Sequence, residues 1–285
     1  MAQFSLNGLT IEYLTFGEGD DVILCFHGFG RHASDFRVFT SLLTSNQRMI
    51  AINLFGHGAS TFPPQRIYDQ PLTPEEWRLT LTAFLDQLHA EKFHLLGYSM
   101  GGRIAMKTVE LLPDRVKSLL LIAPDGFKIN PLYRFASGTI VGKKMYTRLI
   151  NNPRPLFAIA NALNKTGILN DKLHRFVHVH LDSEAQRQMV YDVWLIYKLT
   201  FPNLQNLARI IRTKKIPFHM IFGRYDSVIT PALGKKFSRI MGTEEHLFLI
   251  EAGHRLMTEQ TAQFIWQHNL WPRHLTKRSS KQNIQ

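Results

Sequence analysis

Three residues have the side chains and the placement needed for nucleophilic attack on a carbonyl: Ser99, Asp226 and His254. Ser99 lies in Gly97-Tyr98-Ser99-Met100-Gly101-Gly102, after the apolar run Phe93-His94-Leu95-Leu96 and before a helical pattern that opens at Arg103. A serine on a strand-to-helix turn between glycines has the G-x-S-x-G form of a nucleophile elbow, whose strained backbone pushes the hydroxyl out toward substrate. A hydroxyl is a weak nucleophile at its own pKa, so it needs a base within hydrogen-bond reach and a third group to orient that base. His254 follows an apolar run ending at Ile250, and Asp226 follows another ending at Phe222. The order serine, acid, histidine is the one expected when three strand-end loops share one edge of a parallel sheet. Asp125 also stands just after an apolar run and is the alternative orienting acid. Attack leaves an oxyanion, which needs two aimed N–H donors. The candidates are the Met100 amide, at the positive end of the elbow helix, and the Phe29 amide, between Gly28 and Gly30.

These residues need a sheet to hold them. Residues 4–6 and 9–14 alternate around Asn7-Gly8 and predict a hairpin, hence an antiparallel edge. Continuous apolar runs at 22–26, 49–54, 93–96 and 118–122 predict strands covered on both faces, separated by helices at 35–43, 74–88 and from Arg103 to residue 112. Strands alternating with helices imply a parallel sheet with helices on both faces, and right-handed crossovers align the strand C-terminal ends along one edge, where ligands bind. After Gly126 no strand is legible for about ninety residues, only helical stretches at 140–150, 155–163, 171–180, 183–199 and 204–212. Sheet grammar then resumes with strands near 217–222 and 245–250 and helices at 232–240 and 257–268. The predicted organisation is an α/β core made of 1–125 and 216–270, a helical lid at 126–215 and a basic polar tail at 271–285.

Charge locates a second feature. The net charge is +12, and residues 126–215 hold 15 Lys and Arg against 4 Asp and Glu. A positive field there favours an anionic or lipid-like acyl substrate, or peripheral contact with an anionic membrane surface. No nucleic-acid-binding motif accompanies it, so no nucleic-acid partner is expected. His174 and His178 are four apart on a predicted helix, but no third ligand stands at metal-site spacing, so neither a metal nor a cofactor is implied. The single cysteine, Cys25, lies in an apolar strand and suits packing. No signal-peptide pattern or membrane-length apolar run is present, and the expected setting is the cytoplasm.

His27-Gly28-Phe29-Gly30, Gly56-His57-Gly58, Gly97-Tyr98-Ser99-Met100-Gly101-Gly102, Gly223-Arg224-Tyr225-Asp226 and Gly253-His254 resemble, in order and spacing, the motifs of the α/β-hydrolase superfamily. The resemblance implies a mostly parallel eight-stranded sheet with a helical lid inserted after the sixth strand. It also implies a serine hydrolase acting on a carboxylic ester or thioester through an acyl-enzyme. A serine at the elbow argues against the dehalogenase and epoxide hydrolase branches, which carry aspartate there. Tyr98, Ser99 and Arg103 are similar to the elbow of the menaquinone-pathway succinyl-cyclohexadiene carboxylate synthase, where the arginine holds an anionic substrate. This keeps a lyase, or an acyltransferase, as the alternative reading, and a non-catalytic ligand-binding protein as a further one. His27, Tyr98, Arg103 and Trp194 are the candidate substrate-binding residues.

Overall fold

The computed structural model describes residues 1–167 and 181–272. The predicted helix at 171–180, with His174 and His178, lies outside the described residues, as does the tail from 273 onward. Eight strands form one sheet: β1 (Ala2–Leu6), β2 (Leu9–Phe16), β3 (Asp21–Phe26), β4 (Gln47–Ile52), β5 (Phe93–Tyr98), β6 (Val116–Ile122), β7 (Phe218–Gly223) and β8 (Leu247–Ile250). Their order is β1-β2-β4-β3-β5-β6-β7-β8. β1 and β2 are antiparallel to their neighbours, and every other pairing is parallel. β3 and β5 are buried along their whole length, which is why they read as unbroken apolar runs rather than alternating ones.

The register matters most for function. Phe26 pairs with Gly97, Tyr98 with Ile122, Ile122 with Ile221, and Gly223 with Ile250. The strands therefore end level with one another, and the loops that follow β3, β5, β6, β7 and β8 emerge along one edge.

Helices α1 (Pro74–Gln87) and α2 (Met100–Leu111) follow as predicted, α1 opening on Thr73, whose side chain accepts from the Glu76 amide, with Pro74 in the first turn. The segment expected to be a helix at 35–43 is instead a run of 3-10 turns over Ala33–Leu42. Its buried residues, Ala33, Phe36, Phe39 and Leu42, recur every three positions, the period of a 3-10 helix rather than an α-helix.

Between β6 and β7 the described residues contain helices only: α3 (Pro131–Gly138), α4 (Ile140–Asn151), α5 (Arg154–Lys165), α6 (Glu184–Ile196) and α7 (Leu204–Thr213). α3 was not anticipated from periodicity, although Asn130-Pro131 is a helix-start signal and the Asn130 side chain does accept from the Leu132 amide. α8 (Pro231–Met241) and α9 (Glu259–Gln267) complete the core. The tail does not begin where expected. Trp271 is buried, and its indole N–H donates to Gln47 Oε1 at 3.0 Å, so the chain stays on the core through that residue.

Candidate active site

The turn carrying Ser99 is tight because α2 crosses the end of β5 at close quarters. A Cβ on Gly97 would stand 2.7 Å from the Gly101 oxygen and the Gly102 Cα, and one on Gly101 would stand 2.0 Å from the Phe26 oxygen. Glycine at both positions is therefore a steric requirement of the elbow. Ser99 itself takes φ 51° and ψ −118°, a conformation that costs an L-residue on the order of 1–3 kcal/mol. The strain persists because the backbone on both sides is pinned. The Ser99 amide donates to Ile122 O at 3.0 Å, and its carbonyl accepts from the Gly102 and Asp125 amides, each at 2.9 Å.

His254 and Asp226 are delivered by two loops laced together. The Arg224 amide donates to Ile250 O at 2.8 Å and the Tyr225 amide to Ala252 O at 3.0 Å. The result is a continuous chain: Ser99 Oγ stands 3.1 Å from His254 Nε2, and His254 Nδ1 stands 2.7 Å from Asp226 Oδ2. The other oxygen of Asp226, Oδ1, accepts from the Val228 and Ile229 amides at 2.8 and 2.9 Å. The carboxylate is buried with both oxygens held by donors, which fixes its plane relative to the imidazole.

Asp125, the alternative acid, is not at the histidine. Its carboxylate accepts from the Gly126 amide at 2.7 Å and lies 3.4 Å from Arg103 Nη1. Arg103 is in turn buried, with its guanidinium carbon 4.3 Å from the Phe201 ring centroid and 5.8 Å from that of Tyr133. The residue expected to touch substrate is thus engaged by an acid and two aromatic rings.

Two further expectations are corrected. His27 is fully buried, donates through Nδ1 to Gly28 O at 2.7 Å, and accepts through Nε2 from the Leu54 amide at 3.0 Å. It ties the loop after β3 to the loop after β4 and has no nitrogen left for a substrate. Tyr98 is also a builder of the site: its hydroxyl donates to the His254 carbonyl at 2.9 Å, and its ring stacks on the imidazole at 5.6 Å. Trp194 is half-buried on α6 between Tyr133 and Tyr146, with ring centroids 5.2 and 5.5 Å away.

One contributor went unassigned in the sequence. His57, in Gly56-His57-Gly58, accepts from the Gly30 amide at 3.0 Å and packs edge-on against Phe29 at 5.6 Å, so it holds the Phe29 loop in place. The signal was present, since a histidine between two glycines at a strand end needs a reason to be there.

The two loop histidines carry a stability consequence. Burial, reinforced by the nearby His57, lowers the His27 pKa to about 3, and burial lowers that of His57 to about 4. In the unfolded chain both take up protons near 6.5. Between that value and their folded values the unfolded state binds more protons, so stability falls as the pH is lowered through this window. Each group contributes a slope of up to about 1.4 kcal/mol per pH unit. Urea denaturation followed downward from neutral pH should show this loss, and His27→Gln, though less stable at neutral pH, should show a shallower acid slope. An unchanged slope in the variant would exclude His27 as a source.

Residues 21–260 match the model of the α/β-hydrolase fold family, and the chain belongs to that family. It is 28% identical to the dihydrolipoyllysine-residue acetyltransferase component of the acetoin cleaving system of Pseudomonas putida, over 87% of this chain and 62% of that one. The chain thus spans about three fifths of that relative's length. It is 25% identical to Lipase 1 of Psychrobacter immobilis, over 88% of this chain and 80% of the lipase. Among solved structures, a thermophilic esterase from Thermogutta terrifontis aligns with a TM-score of 0.65 at 19% identity, over 94% of this chain and 96% of the esterase. Family model and solved structures thus agree on the fold. No helix among the described residues is long and apolar enough to cross a membrane.

Proposed function

We propose that the protein cleaves a carboxylic ester or thioester through an acyl-enzyme formed on Ser99. The observation that carries this reading is the unbroken hydrogen-bonded chain from Ser99 Oγ through His254 to the buried Asp226 carboxylate. Ser99 Oγ attacks the carbonyl carbon while its proton passes to His254 Nε2. Asp226 holds Nδ1–H and stabilises the imidazolium that forms. The tetrahedral oxyanion is held by the Phe29 and Met100 amides, the latter at the first position of α2, where the helix supplies no internal acceptor. Collapse breaks the carbonyl–oxygen or carbonyl–sulfur bond, and His254 returns the proton to the departing alcohol or thiol. Water then attacks the acyl-Ser99, giving up a proton to His254, and the carboxylic acid leaves as Ser99 recovers its hydrogen.

The positive charge of residues 126–215 supports an anionic or amphipathic acyl substrate, whose local concentration such a field raises. The mechanism is tested by quenching the enzyme during turnover of a p-nitrophenyl ester and mapping the adduct by mass spectrometry. An acyl group on the peptide bearing Ser99, with a burst of p-nitrophenol, is expected. Turnover with neither adduct nor burst would sink the acyl-enzyme. Equal turnover of neutral short-chain and anionic long-chain esters, insensitive to salt, would sink the substrate class alone.

A further inference from the structure

We infer that the outer surface of α3, α4 and α5 docks on an anionic lipid bilayer. The inner sides of α3 and α4 are accounted for. Tyr133 of α3 donates its hydroxyl to Trp194 O at 2.9 Å, Tyr146 of α4 stacks on Tyr191 at 4.3 Å, and the Tyr191 hydroxyl donates to Ala136 O at 3.1 Å. α3 and α4 also pack so closely that a Cβ on Gly142 would stand 2.1 Å from the Phe135 oxygen. The platform is thus fastened to α6 from within.

Its outer side is unusual for a surface in water. Leu132, Ile140, Val141 and Ile159 are 67%, 75%, 61% and 59% exposed, and Phe135 and Met145 are exposed beside them in sequence. On α4 the exposed residues Ile140, Val141, Lys144, Met145, Thr147, Arg148 and Asn151 fall within an arc of about 160° at 100° per residue. On α5 the exposed Ala158, Ile159 and Ala162 share a side with Arg154 and Lys165. A soluble surface seldom gathers large apolar side chains in this way without a partner.

Charge selects the partner. Residues 126–167 contain seven Lys and Arg and not one Asp or Glu. Apolar side chains interspersed with cations, on helices too short to span a bilayer, are the composition of an element that lies in the interfacial plane: the apolar groups enter the acyl boundary, and the cations meet lipid phosphates. A protein partner would have to be uniformly acidic across the same apolar face, whereas an anionic leaflet supplies both properties at once. Docking in this manner does not rest on the catalytic reading of Ser99.

The test is co-sedimentation of the full chain, carrying Ser99→Ala so that turnover plays no part, with vesicles. Strong binding is expected to phosphatidylglycerol–phosphatidylcholine vesicles, at least about tenfold weaker binding to pure phosphatidylcholine, and loss of binding at high salt. Arg134→Gln with Lys144→Gln should weaken binding roughly ten- to thirtyfold, at about 1 kcal/mol per cation. Leu132→Asp with Ile140→Asp should weaken it as much, with the melting temperature unchanged in both pairs because all four side chains are exposed. Equal affinity for neutral and anionic vesicles, or full binding by either double variant, would overturn the proposal. So would a soluble dimer, seen by light scattering, that Leu132→Asp with Ile140→Asp converts to monomer, because a second copy would then be what covers this face.

Discussion

Ser99→Ala should reduce ester turnover by roughly ten-thousand- to millionfold and abolish labelling by a fluorophosphonate probe, leaving the fold intact. Ser99→Gly should be equally inactive, but the two variants should differ in stability. The conformation at Ser99, φ 51° and ψ −118°, is one that glycine adopts freely and alanine does not. The alanine variant keeps the strain, whereas the glycine variant releases it and gives back part of the gain through the larger entropy of its unfolded chain. A net advantage of about 1 kcal/mol for glycine follows, seen as a melting temperature about 2 °C or more above that of the alanine variant. Should alanine match or exceed glycine, the elbow is not under strain. Should Ser99→Ala retain turnover, the nucleophile lies elsewhere.

The second large effect belongs to Asp226. Its Oδ1 is held by the Val228 and Ile229 amides, so an asparagine there keeps its oxygen on those two donors and turns its NH2 toward His254. Nδ1 must then accept, the ring proton moves to Nε2, and the imidazole faces Ser99 as a donor, unable to take its proton. The expected loss in kcat for Asp226→Asn is roughly a thousand- to ten-thousandfold, with KM little changed. Asp125→Asn, which alters only the contacts to Gly126 and Arg103, should lose less than about tenfold. Steady-state kinetics of both variants on one ester decide the matter, and a reversal of the two losses would move the acid to Asp125.

That pair of aspartates also shows what could be read in advance. Ser99 was legible because the elbow is local: its glycines, its strand and its helix are contiguous in sequence. Chain order favours Asp226 and leaves Asp125 as the alternative, because the choice depends on which loop reaches that of the histidine. β7 is the direct neighbour of β8, with β6 one strand further off, and here it is the Asp226 loop that is laced to the His254 loop. The eight-stranded sheet with its antiparallel edge followed from run lengths and alternation. His27 was misread because it is chemically able to bind a ligand, yet its Nε2 is engaged by Leu54, a partner distant in sequence that no local pattern reveals. Arg103 packs on Phe201 and keeps a buried Nε with no hydrogen-bond partner among the described residues. Helix α3 was missed because it is short, with few turns over which a period can assert itself, whereas Ala33–Leu42 was read as an α-helix although its buried apolar residues recur every three positions.

Arg103 has one more consequence. Its guanidinium touches Asp125, where the chain leaves β6 for the helical insertion, and Phe201, where the chain returns just before α7. Departure and return therefore meet at a single buried side chain, and the return is anchored a second time: Val193 and Ile196 of α6 and the adjoining Tyr197 pack in the main core, and the Tyr197 hydroxyl accepts from the Phe55 amide at 2.7 Å. Lengthening the connections ahead of α6 leaves these return contacts in place, and the entropic penalty for doubling such a loop is only about 0.6 kcal/mol. Length variation is therefore cheapest at the connections of α3, α4 and α5, whereas a change at the return end reaches the loop after β4 directly.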